Sequence, residues 1–159
     1  MEGERGATEL SRRYRPQARV LCVLSLLLLP CMIVGCAVEQ GKVYIKDGKQ
    51  YGVTSSLIWR GEWWNYYERG SSYAEGAFWP DAIADFQEAI RQRRNDQRRA
   101  RTYGLHFIDY FPHRELGIAY YHVGRYPEAI HELETFLADA KDPQLQDSAR
   151  QLLAKLKHR

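Results

Sequence analysis

No cysteine follows residue 36 in this sequence of 159 residues. With only Cys22, Cys31 and Cys36 present, the rest of the chain has no disulfide framework, no thiol nucleophile and no cysteine-built zinc site. Phosphate loops and nucleophile elbows are missing as well. The five histidines are scattered. His113 and His122 share one predicted helix but stand too far apart to chelate one ion from adjacent turns, and His131 lies in a helical surface segment. No catalytic set is assembled, so no enzyme activity, cofactor or metal is expected. An excess of one charge sign is lacking too. The chain carries 23 basic and 20 acidic residues; five arginines and three glutamates precede residue 20, which leaves 18 against 17. A near-neutral domain gives no global field for nucleic acid, and none is expected as a partner.

One long apolar run is present, and it lies near the start. Residues 1–19 are polar and hold Arg5, Arg12, Arg13, Arg15 and Arg19. Val20 to Val34 then carries no charge. A basic lead, a short apolar stretch and a small-residue exit describe an export signal. The exit, Ile33-Val34-Gly35-Cys36, resembles the lipobox of bacterial lipoproteins. The resemblance implies cleavage after Gly35, with Cys36 becoming a lipidated, N-acylated first residue; several acyl chains anchor stably where one is marginal. Ala37, rather than Asp, follows Cys36, which in the lipoprotein sorting rule favours the outer membrane of a Gram-negative cell. The alternative is an uncleaved helix through Val38, just long enough to span a bilayer. The expected place is therefore a bacterial cell membrane or outer membrane, facing the periplasm or exterior. Residues 1–35 are assigned to the signal peptide, 36–61 to the lipidated N-terminus and a β-hairpin, and 62–159 to a helical domain.

The hairpin is predicted from Val43-Tyr44-Ile45 and Tyr51-Gly52-Val53, which flank Lys46-Asp47-Gly48-Lys49. Asp-Gly at the centre suits a type I′ turn, whose two central residues both take positive φ. From Trp63 onward the pattern is helical, and it repeats when shifted by 47 residues. Gly70 falls on Gly117, Tyr73 on Tyr120, Pro80 on Pro127, Ala82 on Ala129 and Phe86 on Leu133. Gly117 and Ala129 would let two helices approach closely, with Tyr120, Tyr126 and Leu133 filling the space between them. Each second helix opens with proline, whose missing N–H costs nothing in a first turn.

Leu116-Gly117-Ile118-Ala119-Tyr120-Tyr121, followed by Gly124-Arg125-Tyr126-Pro127-Glu128-Ala129-Ile130, resembles the tetratricopeptide repeat. The first block departs from that pattern at Arg69, where leucine is usual, and the second at Phe136, where a small residue is usual. The implied architecture is a mainly α fold with two tetratricopeptide-like antiparallel helical hairpins, about 63–96 and 110–143, in an α-α superhelix. A capping helix, about 143–157, would close it, with Asp142 as N-cap and Leu145, Ala149, Leu152, Leu153 and Leu156 as its apolar stripe.

The family's groove positions, carried over one at a time, become Trp64, Tyr67, Ala74 and Glu75 in the first block. In the second they become Phe111, Arg114, Ile118, Tyr121 and His122. Trp64, Tyr67, Arg114, Tyr121 and His122 are the candidate partner-binding residues; Trp, Tyr and Arg are the types that dominate interface energetics. Trp64, Phe111 and Ile118 would instead be core if the Asp47-Gly48 hairpin covered them. The repeat spacing exceeds the family's usual one, and the extra segment opens with an arginine run. Arg91, Arg94, Arg98 and Arg101 are three or four apart, and the run is read as the second helix continuing past its partner to a turn near Thr102 to Gly104, so that the four share a helix face. They are candidate contacts for an acidic partner, or a merely solvated face.

The expected function is a membrane-anchored protein–protein interaction scaffold of the bacterial cell envelope. Its partner would be an envelope protein or peptide segment. Competing classes are a self-associating structural protein, a homo-oligomer through the exposed repeat edge, and a small-ligand binder or enzyme with a concealed site.

Overall fold

The computed structural model describes residues 41–55, 58–140 and 143–158. The predicted export segment, Cys36 and the predicted Asp142 cap lie outside these residues. The chain is mainly helical, with a small antiparallel hairpin near its N-terminus. The hairpin joins β1 (Tyr44–Lys46) to β2 (Lys49–Tyr51), with Tyr44 opposite Tyr51 and Lys46 opposite Lys49. Asp47 and Gly48 take φ of 51° and 75°, as the Asp-Gly turn predicts. The second strand ends earlier than expected, because Gly52 at φ 83° turns the chain away.

Four helices form two hairpins: α1 (Trp63–Glu75) with α2 (Trp79–Gln92), and α3 (Pro112–His122) with α4 (Tyr126–Asp139). A fifth helix, α5 (Pro143–Lys157), packs on α4. Each hairpin closes around its glycine. A Cβ on Gly70 would stand 2.9 Å from the Phe86 ring, and one on Gly117 would stand 2.9 Å from Leu133 Cγ. Helices that close admit no larger side chain there without displacing a core residue. Phe136, the departure from the repeat pattern, is fully buried and meets Phe111 edge-on at 5.9 Å. Ala149 and Leu156 of α5 are buried, and Leu145, Leu152 and Leu153 pack beside them, so the predicted stripe does face the core.

The arginine run corrects the sequence reading. α2 stops at Gln92, and Gln97–Arg101 forms a strand, β3, paired antiparallel with β4 (Phe107–Tyr110). Arg91 alone of Arg91, Arg94, Arg98 and Arg101 is helical, so the four do not share a helix face. The physical reason is tertiary. Arg93 is already extended, β3 carries Ala100 into the core, and β4 supplies fully buried Tyr110. The Tyr110 hydroxyl donates to Arg93 O at 2.7 Å, and its ring meets those of Trp63 and Tyr67. Burying that aromatic outweighs the weak helical preference of an exposed arginine segment. Arg99 takes φ of 57° at a bulge between Gln97 and Ala100.

The other departure, Arg69, is buried. Its Nε and Nη2 donate to Asp85 Oδ2 and Oδ1, both at 2.7 Å, linking α1 to α2. The guanidinium also lies 4.1 Å from the Trp59 ring. A buried pair of this geometry is costly to break from one side only. Asp85→Ala is expected to lower unfolding free energy by about 3–5 kcal/mol, whereas Arg69→Leu with Asp85→Leu costs far less. Urea denaturation followed by circular dichroism compares the two variants.

Candidate protein-binding groove

Trp64, Glu68, Ser71 and Glu75 recur at helical spacing along one side of α1. Beside this stripe is a shallow groove of about 360 Å³, with Tyr67, Glu68, Ser71, Ser72 and Glu75 from α1, Val53 and Ser55 on one bank and Ile108 of β4 on the other. The banks are held in place. Ser72 Oγ accepts the Gly52 N–H at 3.1 Å, and Ser55 Oγ donates to Glu68 Oε1 at 3.0 Å. Glu68 Oε2 is shielded from solvent and has no partner among the described residues. Glu75 pairs with Lys49 across the mouth. The groove is thus polar and acidic along its helix, with apolar residues on its banks.

The candidate residues divide. Trp64 is half-buried, meeting Trp63 edge-on at 5.5 Å and lying 6.4 Å from Tyr103. Tyr67 contributes to the groove floor, but its phenol turns into the core. Its oxygen accepts the Phe111 N–H at 3.3 Å, and burial pushes its pKa up. Arg114 is half-buried, pairs with neighbouring Glu115 and lies 5.1 Å from the Phe111 ring. Tyr121 and His122 come together with other rings at the far end of α3. His122 is exposed and stacks on Trp79 at 4.1 Å, while Tyr121 contacts Tyr126 and lies under Lys155. Phe111 is core against Phe136, and Ile118 is half-buried. The N-terminal hairpin sits elsewhere: Tyr44 stacks on Phe78 at 4.1 Å and donates to Asp81 at 3.0 Å, and Lys46 reaches Gly76 O.

Sequence reasoning missed a charge cluster where the second block begins. His113 Nδ1 lies 2.6 Å from Glu132 on α4, and its Nε2 lies 2.9 Å from Arg94 O. Both partners are acceptors, so the imidazolium satisfies both contacts. Burial pulls the His113 pKa down, but the Glu132 hydrogen bond, with the charges of Asp96 and Glu132, outweighs it and leaves the pKa raised. Asp96 accepts the His113 N–H at 3.3 Å, and burial pushes its carboxyl up to about 6 against nearby His113 and Arg114. Only spacing marks His113 in the sequence, and spacing cannot show a partner 19 residues away. Next to the cluster is a cavity of about 500 Å³, with Asp96, Arg98, Phe111, Asp139 and Leu145 on its wall. Among the described residues, no group of three or more side chains could hold a metal ion.

Both shifts have the same sign for stability. His113 contributes stability below its unfolded value that is lost as pH rises through the folded one. Asp96, an acid with a raised pKa, likewise contributes most below its unfolded value and loses that contribution as pH rises through about 6. Unfolding free energy is therefore expected to fall by about 2–3 kcal/mol from about pH 4 to about pH 6 through Asp96, and to fall further above about pH 6.5 through His113. Asp96→Asn should flatten the lower part of this profile and His113→Gln the upper part, as read by denaturant midpoints across pH. No protein-family model matches the sequence, and no curated protein matches it.

Proposed function

We propose that this chain is a protein–protein interaction scaffold anchored to the bacterial cell envelope through lipidated Cys36, with tetratricopeptide-like hairpins as its binding module. The observation that carries the reading is the groove along α1, bounded by fixed banks. Such a groove suits an extended segment whose cationic side chain meets the exposed Glu75, beside the Ser55-bound Glu68, while apolar side chains contact Val53 and Ile108. Tyr121, His122 and Trp79 extend the contact surface at the second hairpin. The anchor rests on the Ile33-Val34-Gly35-Cys36 motif. Among the described residues no helix is long and apolar enough to cross a membrane.

Two experiments separate the halves of this proposal. A photo-crosslinking amino acid at Ser71 or Tyr121 should give a discrete envelope-protein adduct that is absent when the probe sits at Gln50. Glu68→Gln with Trp64→Ala should reduce the Ser71 adduct several-fold; equal labelling at all three positions would remove the groove from the proposal. Radiolabelled palmitate should enter the wild-type chain and not Cys36→Ala. Equal labelling of the two would overturn the anchor while leaving the groove standing.

A further inference from the structure

We infer that the β3–β4 hairpin is a second membrane contact, which seats its apolar tip in the interface of an anionic lipid bilayer. This goes beyond protein binding in the α1 groove and uses a different part of the molecule. Leu105 at the tip is 86 % exposed, with Tyr103 at 49 % and Phe107 at 42 %. Large apolar side chains this exposed, close together on one hairpin, mark a contact surface. Behind them come Arg99 and Arg101, with Arg94 nearer the root; none of these three forms an ion pair among the described residues. Asp109, the acid on the hairpin, accepts the Arg99 N–H at 3.2 Å rather than neutralising a guanidinium.

The order of groups along the hairpin selects the occupant. An aliphatic side chain leads, aromatic rings follow and cations come last, which matches the acyl, interfacial and headgroup layers of an anionic leaflet. The tip backbone is also prepared to leave water. Tyr103 O accepts the His106 N–H at 2.9 Å, His106 O accepts the Thr102 N–H at 3.0 Å, and Gly104 O accepts from Arg101 Nε at 2.6 Å. Entry of the tip into an apolar layer therefore strands few carbonyls. Nucleic acid fits less well, because its bases need open ring faces. Tyr103 is stacked on His106 at 5.2 Å, and the Arg99 guanidinium lies over Phe107 at 5.4 Å. The hairpin is braced from below, since Ala100 and Tyr110 are fully buried.

The test uses the full chain carrying Cys22→Ser, Cys31→Ser and Cys36→Ser, with an environment-sensitive nitrobenzoxadiazole dye on Leu105→Cys. A second preparation carries the dye on Ala84→Cys, an exposed position on α2. Both are reconstituted into phosphatidylcholine vesicles with or without phosphatidylglycerol, so the apolar run at Val20 to Val34 is offered the same bilayer core in each. The dye at 105 should brighten several-fold and shift to the blue only with phosphatidylglycerol, while the dye at 84 does not change. Arg99→Gln with Arg101→Gln, both exposed positions, should abolish the response, as should high salt. Equal emission on the two vesicle types would overturn the inference. So would a shift that appears without vesicles, whether on raising protein concentration (a second copy) or on adding RNA or an acidic polypeptide.

Discussion

The bidentate contact between Arg69 and Asp85 is the constraint around which the first hairpin is organised. It joins α1 to α2 beside Gly70, where Phe86 and Asp85 leave no room for a Cβ. Trp59 and Tyr66 present ring faces to the same guanidinium, and a Cβ on Gly41 would collide with it. A buried cation with these neighbours fixes the register of two helices and the path of the chain that precedes them. An apolar pair of equal volume would hold the helices together with less angular definition, because hydrophobic contact is non-directional.

The second hairpin meets the same need by a different placement. The 47-residue shift puts Arg69 on Leu116, Asp85 on Glu132 and Tyr66 on His113. The acid is retained on the second helix of each block, but its cation moves one turn, from the position of Arg69 to that of His113. Leu116 is buried instead at the position of Arg69. The exchange has a consequence for pH: a guanidinium stays charged throughout the physiological range, whereas an imidazolium does not. Only the second hairpin therefore has a titrating link between its helices.

What was legible in the sequence follows from this division. Gly70, Gly117, Pro80, Pro127 and the Asp47-Gly48 turn act through local sterics, so their positions alone announce helix contacts, helix starts and a hairpin. Arg69, Asp96 and His113 act through partners distant in sequence, and single residue types carry no mark of such partners. The arginine run misled for a related reason. Spacing of three and four is compatible with a solvated helix, but the deciding residues were Ala100 and Tyr110, whose burial needs an extended pair of strands. The β-formers Phe107, Ile108 and Tyr110, beyond the turn near Thr102 to Gly104, were the available signal. Of the candidate groove, the sequence offered only Tyr67 and Glu75 on α1; that the Tyr67 phenol turns inward depends on the Phe111 N–H and carries no mark in the sequence.

Two helical hairpins are too few to cover their own apolar faces, and the additions to this chain fall where cover is missing. The N-terminal hairpin closes the loop between α1 and α2 through Tyr44 and Phe78. α5 closes the outer face of α4. The inserted β3–β4 hairpin seals the junction between the blocks with Tyr110, which touches Trp63 and Tyr67 and is tied to Arg93. Sealing requires only the root of that hairpin. Its tip extends past the point where burial ends and carries Leu105 into solvent together with Tyr103 and Phe107. The three side chains on this self-bonded turn, not the leucine alone, are the surface that the proposed bilayer contact would use.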